Sequence, residues 1–223
     1  MYNIRGKELK VVKGINTFTL KMIAIASMLI DHIGAVLFPQ ITIFRMIGRI
    51  AFPIFAYTVV EGFVHTHDLK KYIIRLGIFA LLSEVPFDLA FAGKVIEFGH
   101  QNVFFTLFLG VVMLSLYVRA RNVAEQFSVV AVTVLVSRLL HVDYQGTAIL
   151  MIFLFYYLRE KKLEKLFAVG TLILLVSGKI QLFSLLAFIP IALYNGERGP
   201  KMKAFFYAFY PVHLLALYLI RFL

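Results

Sequence analysis

The residues that could do chemistry in this sequence stand inside long apolar runs. Asp31 and His32 are adjacent within a stretch long enough to cross a bilayer. An ionisable side chain at that depth costs roughly 2.5–3.5 kcal/mol, so it usually has a partner or a function. A neutral imidazole there can take a proton from a nucleophile, and a nearby carboxylate can fix its tautomer. We therefore treat His32 as a candidate general base and Asp31 as its partner. A His that only hydrogen-bonds a neighbouring helix is the structural alternative.

Two pairs of charged residues also fall within apolar segments, each with the four-residue spacing of one helix face. Arg45 and Arg49 form one pair, and Glu84 and Asp88 form the other. The two pairs could neutralise each other and lock two helices together. Alternatively, the arginines could clamp an anion such as a phosphate or a carboxylate. The spacing leaves both interpretations open.

Other polar residues are predicted to support the same site. Asn102 or Tyr144 could donate a hydrogen bond to an oxyanion. His213 follows a proline whose kink could aim its imidazole inward. The remaining binding or supporting candidates are Glu61, Thr106 and Asp143. The segment 65–68, His-Thr-His-Asp, lacks the further ligands of a metal centre, and we predict no metal site.

The composition is that of a membrane protein. Of the 223 residues, 61% are hydrophobic and 16% are charged, whereas soluble domains are nearer half apolar and a quarter charged. The net charge of +11 fits basic loops that meet anionic lipid head groups better than it fits nucleic acid, because no basic run exceeds a short loop. The chain has no cysteine, which excludes disulfide and thiolate chemistry.

Length and hydropathy predict an all-α fold, a polytopic transmembrane helix bundle of about nine spans. The predicted spans cover 17–38, 46–65, 72–92, 103–118, 124–140, 145–158, 163–178, 181–194 and 203–222. With the N-terminus cytoplasmic and the C-terminus outside, 17 of the 23 Lys and Arg residues fall in inner segments, as the positive-inside rule requires. The intramembrane polar residues then converge in the outer half of the bilayer. A basic cytoplasmic lead, 1–17, precedes the transmembrane domain, 18–223.

Many short blocks of the sequence resemble the TraX family, from about residue 18 to the end. The blocks include Asp31-His32-Ile33-Gly34, Arg45-Met46-Ile47-Gly48-Arg49, Glu61-Gly62-Phe63, Ser83-Glu84-Val85-Pro86-Phe87-Asp88, Asn102-Val103-Phe104-Phe105-Thr106, Asp143-Tyr144-Gln145-Gly146 and Tyr210-Pro211-Val212-His213. The resemblance implies an acyltransferase of the bacterial inner membrane that moves an acetyl group from cytoplasmic acetyl-CoA to an amine or a hydroxyl. The acceptor, a pilin-like N-terminus or an envelope glycan, does not carry over from the family.

The resemblance also implies a route by which the donor reaches the site. A passage between the spans must bring the thioester to His32 from the cytoplasmic side, with its phosphates among basic residues such as Lys21, Lys70, Lys71 or Arg75. Direct transfer and an acetyl-His intermediate both remain open. Two other classes of function fit the same polar residues, a proton-coupled transporter and a non-catalytic envelope assembly factor.

Overall fold

Side-chain caps set the beginnings of several helices. The carboxamide oxygen of Asn16 accepts a hydrogen bond from a backbone amide of the first helical turn at 2.9 Å. Asp68, Asn102 and Asn122 cap three later helices in the same way. Each cap satisfies one of the amides that the first turn of a helix leaves without a backbone partner. The start of each of these helices is therefore determined by residues close to it in the sequence.

The computed structural model describes residues 14–176 and 178–222, and over these ranges the chain is helical, with two isolated β-bridges and no strand. Residues 1–13 of the predicted basic lead lie outside the described part. The elements are α1 (Thr17–Val36), α2 (Thr42–Gly48), α3 (Ala51–His65), α4 (Leu69–Ala92), α5 (Val103–Tyr117), α6 (Val123–Leu139), α7 (Gln145–Tyr157), α8 (Lys162–Val176), a 3₁₀ helix (Lys179–Ala187), α9 (Phe188–Ala192) and α10 (Lys203–Arg221). The prediction of an all-helical protein is confirmed.

Two predicted segments are interrupted. The segment predicted over 46–65 begins earlier, at Thr42, and is divided into α2 and α3 by a turn at Arg49 and Ile50. Pro53 explains the break, because it cannot donate to the carbonyl four residues earlier, that of Arg49. The segment predicted over 181–194 is mostly the 3₁₀ helix, which passes into the short α9.

The helices have the lengths and the surface of a membrane protein. Three segments are long and apolar enough to cross a bilayer, namely α1, α2 with α3, and α10. Shorter apolar helices are α5, α7 and the segment 179–192. Large apolar side chains are exposed, including Phe127, Leu163 and Phe167, each more than 70% accessible. Such a surface suits lipid rather than water.

The helices meet at two ends that both contain polar residues. At the first, which we call the Tyr194 end, the backbone of residues 15–18 bonds to that of residues 193–198. At the second, which we call the His32 end, the loop 93–102 pairs with the loop 140–144 through backbone bonds between Gln101 and its neighbours His141 and Asp143. α1 packs against α2, α3 and α10, whereas α7 packs against α3, α5, α6 and α8.

Candidate active site

His32 and His213 are joined directly through their ring nitrogens. Nδ1 of His32, in the second half of α1, lies 2.7 Å from Nε2 of His213 in α10. Nδ1 of His213 lies 2.7 Å from the carbonyl oxygen of Phe209, one turn earlier in α10. The two imidazole rings are nearly parallel, at an interplanar angle of 5°. The pair links the first and last membrane-length helices of the chain.

This run of hydrogen bonds fixes the tautomers of the two neutral rings. A carbonyl oxygen only accepts, so Nδ1 of His213 carries the proton and Nε2 of His213 is an acceptor. Nδ1 of His32 must then donate to His213, which leaves the lone pair of Nε2 of His32 free. Within residues 14–176 and 178–222, no side chain or backbone group bonds to that nitrogen. A free ring nitrogen backed by a bonded N–H is the arrangement of a general base.

His32 lines a cavity of about 330 Å³ at the His32 end, which we call the central cavity. Of the residues predicted for the site, Asp31, His32, Arg45, Arg49, Asp88, Asp143 and Tyr144 line it. The rings of Phe91 and Tyr210 stand edge-on to the His32 imidazole, at centroid distances of 5.3 and 5.9 Å. The His32 imidazole therefore lies between two aromatic side chains.

Asp31 is bound by two arginines and makes no hydrogen bond to His32 in the described part of the chain. Its carboxylate accepts from Arg45 Nη1 at 2.8 Å and from Arg49 Nη2 at 2.6 Å. Pairing with Glu84 and Asp88, one of the two alternatives that the spacing left open, is not what the structure shows. Adjacent residues of a helix point about 100° apart, so Asp31 faces α2 while His32 faces α10. The partner of the imidazole is His213.

The close approach of α1 and α2 depends on a glycine. A Cβ added at Gly48 would overlap the carboxyl group of Asp31, so only glycine lets α2 lie this near. The hydroxyl of Ser27 donates to the carbonyl of Ile47 at 2.6 Å and fixes the same contact one turn earlier in α1. Together these contacts place the two guanidinium groups on one carboxylate.

Glu84, Asp88 and Asn102 organise the loop 93–102. One carboxylate oxygen of Glu84 accepts from both the backbone amide and the side-chain amide of Asn102. Asp88 accepts from the backbone amide of Glu97 at 2.7 Å. The side-chain amide of Asn102 also donates to the carbonyl of Ala80 at 2.8 Å. The carboxamide is thus fully engaged as a structural group, and it is not free to bind an oxyanion.

The loop 140–144 adopts an unusual backbone conformation where it enters the central cavity. His141, Tyr144 and Gln145 have φ of +50°, +57° and +42°, a region that costs energy for residues other than glycine and often accompanies functional sites. Thr106 holds the loop by donating to the carbonyl of Asp143 at 2.7 Å. The ring of Tyr144 stacks on Phe52 at 4.2 Å.

His100, outside the helices, is a site residue that the sequence did not reveal. Its Nε2 lies 3.5 Å from the Asp143 carboxylate, and this hydrogen bond raises the pKa of His100 above its ordinary value despite partial burial. The pair joins the two loops in the wall of the central cavity, which both residues line. A His in a short polar loop is not part of a helical pattern in the sequence. Only the three-dimensional structure therefore identifies His100 as a residue of the site.

Glu61 lies away from the central cavity. Its carboxylate accepts from the hydroxyl of Tyr194 at 3.0 Å, and that hydroxyl is 2.9 Å from the hydroxyl of Thr17. These contacts join α3, α1 and the segment after α9 at the Tyr194 end. Among the described residues, no group of three or more His, Asp or Glu is arranged to hold a metal ion.

Two further cavities share walls with the central one. The inner cavity, of about 80 Å³, has the wall residues Met28, Phe55, Val103 and Tyr210 in common with it and extends along α1 to Lys21. The side cavity, of about 200 Å³, shares the wall residues Arg49, Phe52 and Tyr144. The central cavity therefore borders both of the others.

Similarity to known proteins covers nearly the whole chain. The family described as "TraX protein" matches residues 17–221. The "Probable fimbrial assembly protein FimC, serogroup H1" of Dichelobacter nodosus is 27% identical, over 91% of this chain and 94% of its own length. An uncharacterized protein of Rickettsia prowazekii (strain Madrid E) is 34% identical over 41% of this chain and 33% of its own length. No solved structure matches. The chain belongs to the TraX family.

Proposed function

We propose that this protein is an integral membrane acetyltransferase that moves an acetyl group from acetyl-CoA to an amine or hydroxyl at the membrane. The observation that carries the proposal is the free lone pair of His32 Nε2 over the central cavity, with Nδ1 committed to His213. A base used in acyl transfer needs this division of labour between its two nitrogens. Asp31 neutralises one of the two arginines beside the cavity and leaves the second charge for a developing anion.

The reaction requires one proton to leave the acceptor and one to reach the leaving sulfur. Nε2 of His32 takes the proton of the acceptor as its nitrogen or oxygen bonds to the thioester carbonyl carbon. The carbon–sulfur bond then breaks, and the same His32 proton passes to the thiolate. Tyr144, whose hydroxyl makes no hydrogen bond within the described residues, is the candidate oxyanion donor. The lone pair of His32 could also carry the acetyl group in a two-step transfer.

The inner cavity supports a route for the donor. It borders the central cavity and extends between α1, α3, α4, α5 and α10 to Lys21, whose charged neighbours are Arg198 and Lys203. Its small volume suits an extended chain such as the pantetheine arm rather than a nucleotide. The cationic group at its far end suits phosphates. We therefore place the nucleotide of acetyl-CoA outside the bundle at the Tyr194 end.

The same arrangement supports about nine spans of the bacterial inner membrane, with the N-terminus inside and the C-terminus outside. The Tyr194 end brings together residues 15–18 and 193–198, which adjoin segments predicted inside. At the His32 end, Asp31, Arg45 and Asp143, all predicted in the outer half, line one cavity. Because the chain has no cysteine, single substitutions test the orientation in intact cells. Glu97→Cys should react with an impermeant maleimide from outside, and Lys201→Cys only after permeabilisation. The reverse pattern would contradict the orientation.

The decisive experiment measures acetyl transfer by the purified protein in lipid nanodiscs. Labelled acetyl-CoA is supplied with a short peptide bearing a free N-terminus or with hexyl β-D-glucoside. His32→Ala should lower transfer at least ~100-fold, the usual contribution of a general base. His65→Ala is the matched control, since His65 is exposed at the Tyr194 end, and should behave as wild type. Full activity of His32→Ala would refute the proposed base.

A second candidate function rests on the name of the Dichelobacter nodosus relative, a fimbrial assembly protein. A non-catalytic assembly factor would act by binding another envelope protein in the bilayer. Fimbrial assembly in cells carrying His32→Ala separates the two functions. Unchanged assembly together with no detectable acetyl transfer by wild type would favour the assembly factor.

A further inference from the structure

The side cavity is lined by several polar side chains, although it lies within an apolar helix bundle. It lies between α3, α7, α8 and the 3₁₀ helix. Thr147, Gln181 and Ser184 line it, and their side chains make no hydrogen bond within residues 14–176 and 178–222. None of the three is an inaccessible polar group, so each is an unbonded but accessible polar side chain in the cavity wall. Polar groups placed in this way normally meet water or a ligand.

The charge of the side cavity restricts what it can hold. Among the described residues that line it, Arg49 is the sole charged group and no carboxylate is present. Arg49 already binds Asp31, so its charge is shared, but it still repels a cation. The ammonium form of an amine acceptor would find no counter-ion here. A neutral group with several hydroxyls fits the amide and hydroxyl side chains.

The wall between the side and central cavities consists of side chains. Tyr144 stacks on Phe52 at 4.2 Å, and the Arg49 guanidinium lies 5.8 Å from the Tyr144 ring centroid. An aromatic face is a suitable platform for the apolar face of a sugar ring. Tyr144 is itself held by the strained backbone of the loop 140–144. The side chains of Arg49, Phe52 and Tyr144, which line both cavities, are therefore what separates the side cavity from the cavity of His32.

We propose that the side cavity is the acceptor site and that it selects a sugar hydroxyl rather than an amine. This inference rests on the proposed acetyl transfer. The sugar binds among Thr147, Gln181 and Ser184 and presents one hydroxyl past Tyr144. Nε2 of His32 takes the hydroxyl proton, the oxygen bonds to the acetyl carbon, the carbon–sulfur bond breaks, and the thiolate leaves with the proton. The products are an acetyl ester and free CoA thiol.

Binding can be tested without any acetyl donor, because the natural chain has no cysteine. Ser184→Cys places one thiol in the side cavity, and Leu174→Cys places one on the exposed surface of α8. Each is reacted with methyl methanethiosulfonate in nanodiscs. Hexyl β-D-glucoside should slow labelling of Ser184→Cys about tenfold when present at about ten times its dissociation constant. Labelling of Leu174→Cys should not change.

Hexylamine has the same alkyl chain as the glucoside and carries an amine instead of a sugar. It should give no protection of Ser184→Cys at the same concentration. Equal protection by both compounds, or protection by neither, would overturn the sugar assignment. The labelling rate of Ser184→Cys is also measured after detergent has opened the bundle. A rate no higher than that in nanodiscs would confirm that the thiol already faces open space in the folded protein, as the cavity requires.

Kinetics then separate this inference from the proposed function. Ser184→Phe fills the side cavity and should raise the KM for hexyl β-D-glucoside at least ~10-fold through lost acceptor binding, with acetyl-CoA binding unchanged. Gln181→Leu removes one hydrogen-bonding group without filling the space and should raise the same KM by a smaller factor. Leu174→Phe is the control. An unchanged KM in Ser184→Phe would refute the acceptor site, whereas failure of wild type to bind acetyl-CoA would refute the proposed function and leave the labelling result standing.

Discussion

The two ends of the bundle both hold polar side chains between apolar helices, but they use them differently. At the Tyr194 end, Glu61, Tyr194 and Thr17 bond to one another and close the contact between three segments. At the His32 end, His32 and His213 bond to each other but leave one ring nitrogen free over a cavity of about 330 Å³. The comparison indicates that a buried polar residue marks a functional site when one of its donors or acceptors has no hydrogen-bond partner and faces a cavity.

The largest effect on stability is expected from the carboxylate that the arginines share. Asp31→Asn would leave the buried guanidinium of Arg49, and the partly exposed one of Arg45, without this counter-ion. We expect a loss of about 3–5 kcal/mol in the free energy of unfolding, typical of a broken buried ion pair. Thermal or denaturant unfolding in a mild detergent measures it. A loss of unfolding free energy no greater than that of a surface substitution would show that the ion pairs of Asp31 with Arg45 and Arg49 contribute nothing to stability.

The sequence predicted the helices better than it predicted the contacts among them. Runs of apolar residues and the caps Asn16, Asp68 and Asn102 specify the segments locally. The pairing of His32 with His213 spans 181 positions and depends on which helices become neighbours. The periodicity of apolar residues in one sequence does not show which helices pack against each other.

The same limit explains why the spacing of the arginines did not reveal their partner. Spacing places Arg45 and Arg49 on one face of a helix, but it does not give the rotation of that helix within the bundle. The face turns toward Asp31 because Gly48 allows close approach and because Pro53 breaks the segment at Arg49. The left-handed backbone at Tyr144 was likewise unpredictable, since neither Tyr144 nor Gln145 is a residue that favours it.

The second-largest effect is expected from substitution of His213, and it should appear in the rate of acetyl transfer. His213→Ala removes the acceptor of the His32 N–H, so that His32 can adopt either tautomer. We expect acetyl transfer to fall about 10²-fold, the lower range for loss of general-base catalysis, while the KM for acetyl-CoA changes little. A purely structural role would leave the pH dependence of kcat unaltered. A shifted pH profile in His213→Ala, with partial recovery in His213→Gln, is the result that identifies a positioning residue.

A smaller effect is expected at the Tyr194 end. Glu61→Gln keeps the shape of the side chain and weakens one charge-assisted hydrogen bond from Tyr194. The expected loss is about 1 kcal/mol of unfolding free energy, with acetyl transfer unchanged. Unfolding and activity are measured on the same preparation. A large loss of activity with normal stability would place Glu61 in the reaction and erase the contrast between the two ends.

The smallest effect should come from His100. Because Asp143 raises the pKa of His100 in the folded protein, the stabilisation is fully present below the unfolded pKa of about 6.5. It is lost as the pH rises through the higher folded value. The melting temperature of wild type should therefore decline across that window more than that of His100→Gln. Identical pH profiles would show that the pair does not tie the two loops together.

The most direct test of the account is the position of the proton on His32. ¹⁵N spectra of histidine-labelled protein in nanodiscs at neutral pH, assigned with His32→Gln, report the protonation of each ring nitrogen. We predict a proton on Nδ1 of His32, shared with Nε2 of His213, and no proton on Nε2 of His32. A proton on Nε2 of His32 would contradict it, because the nitrogen that faces the central cavity could not then act as a base.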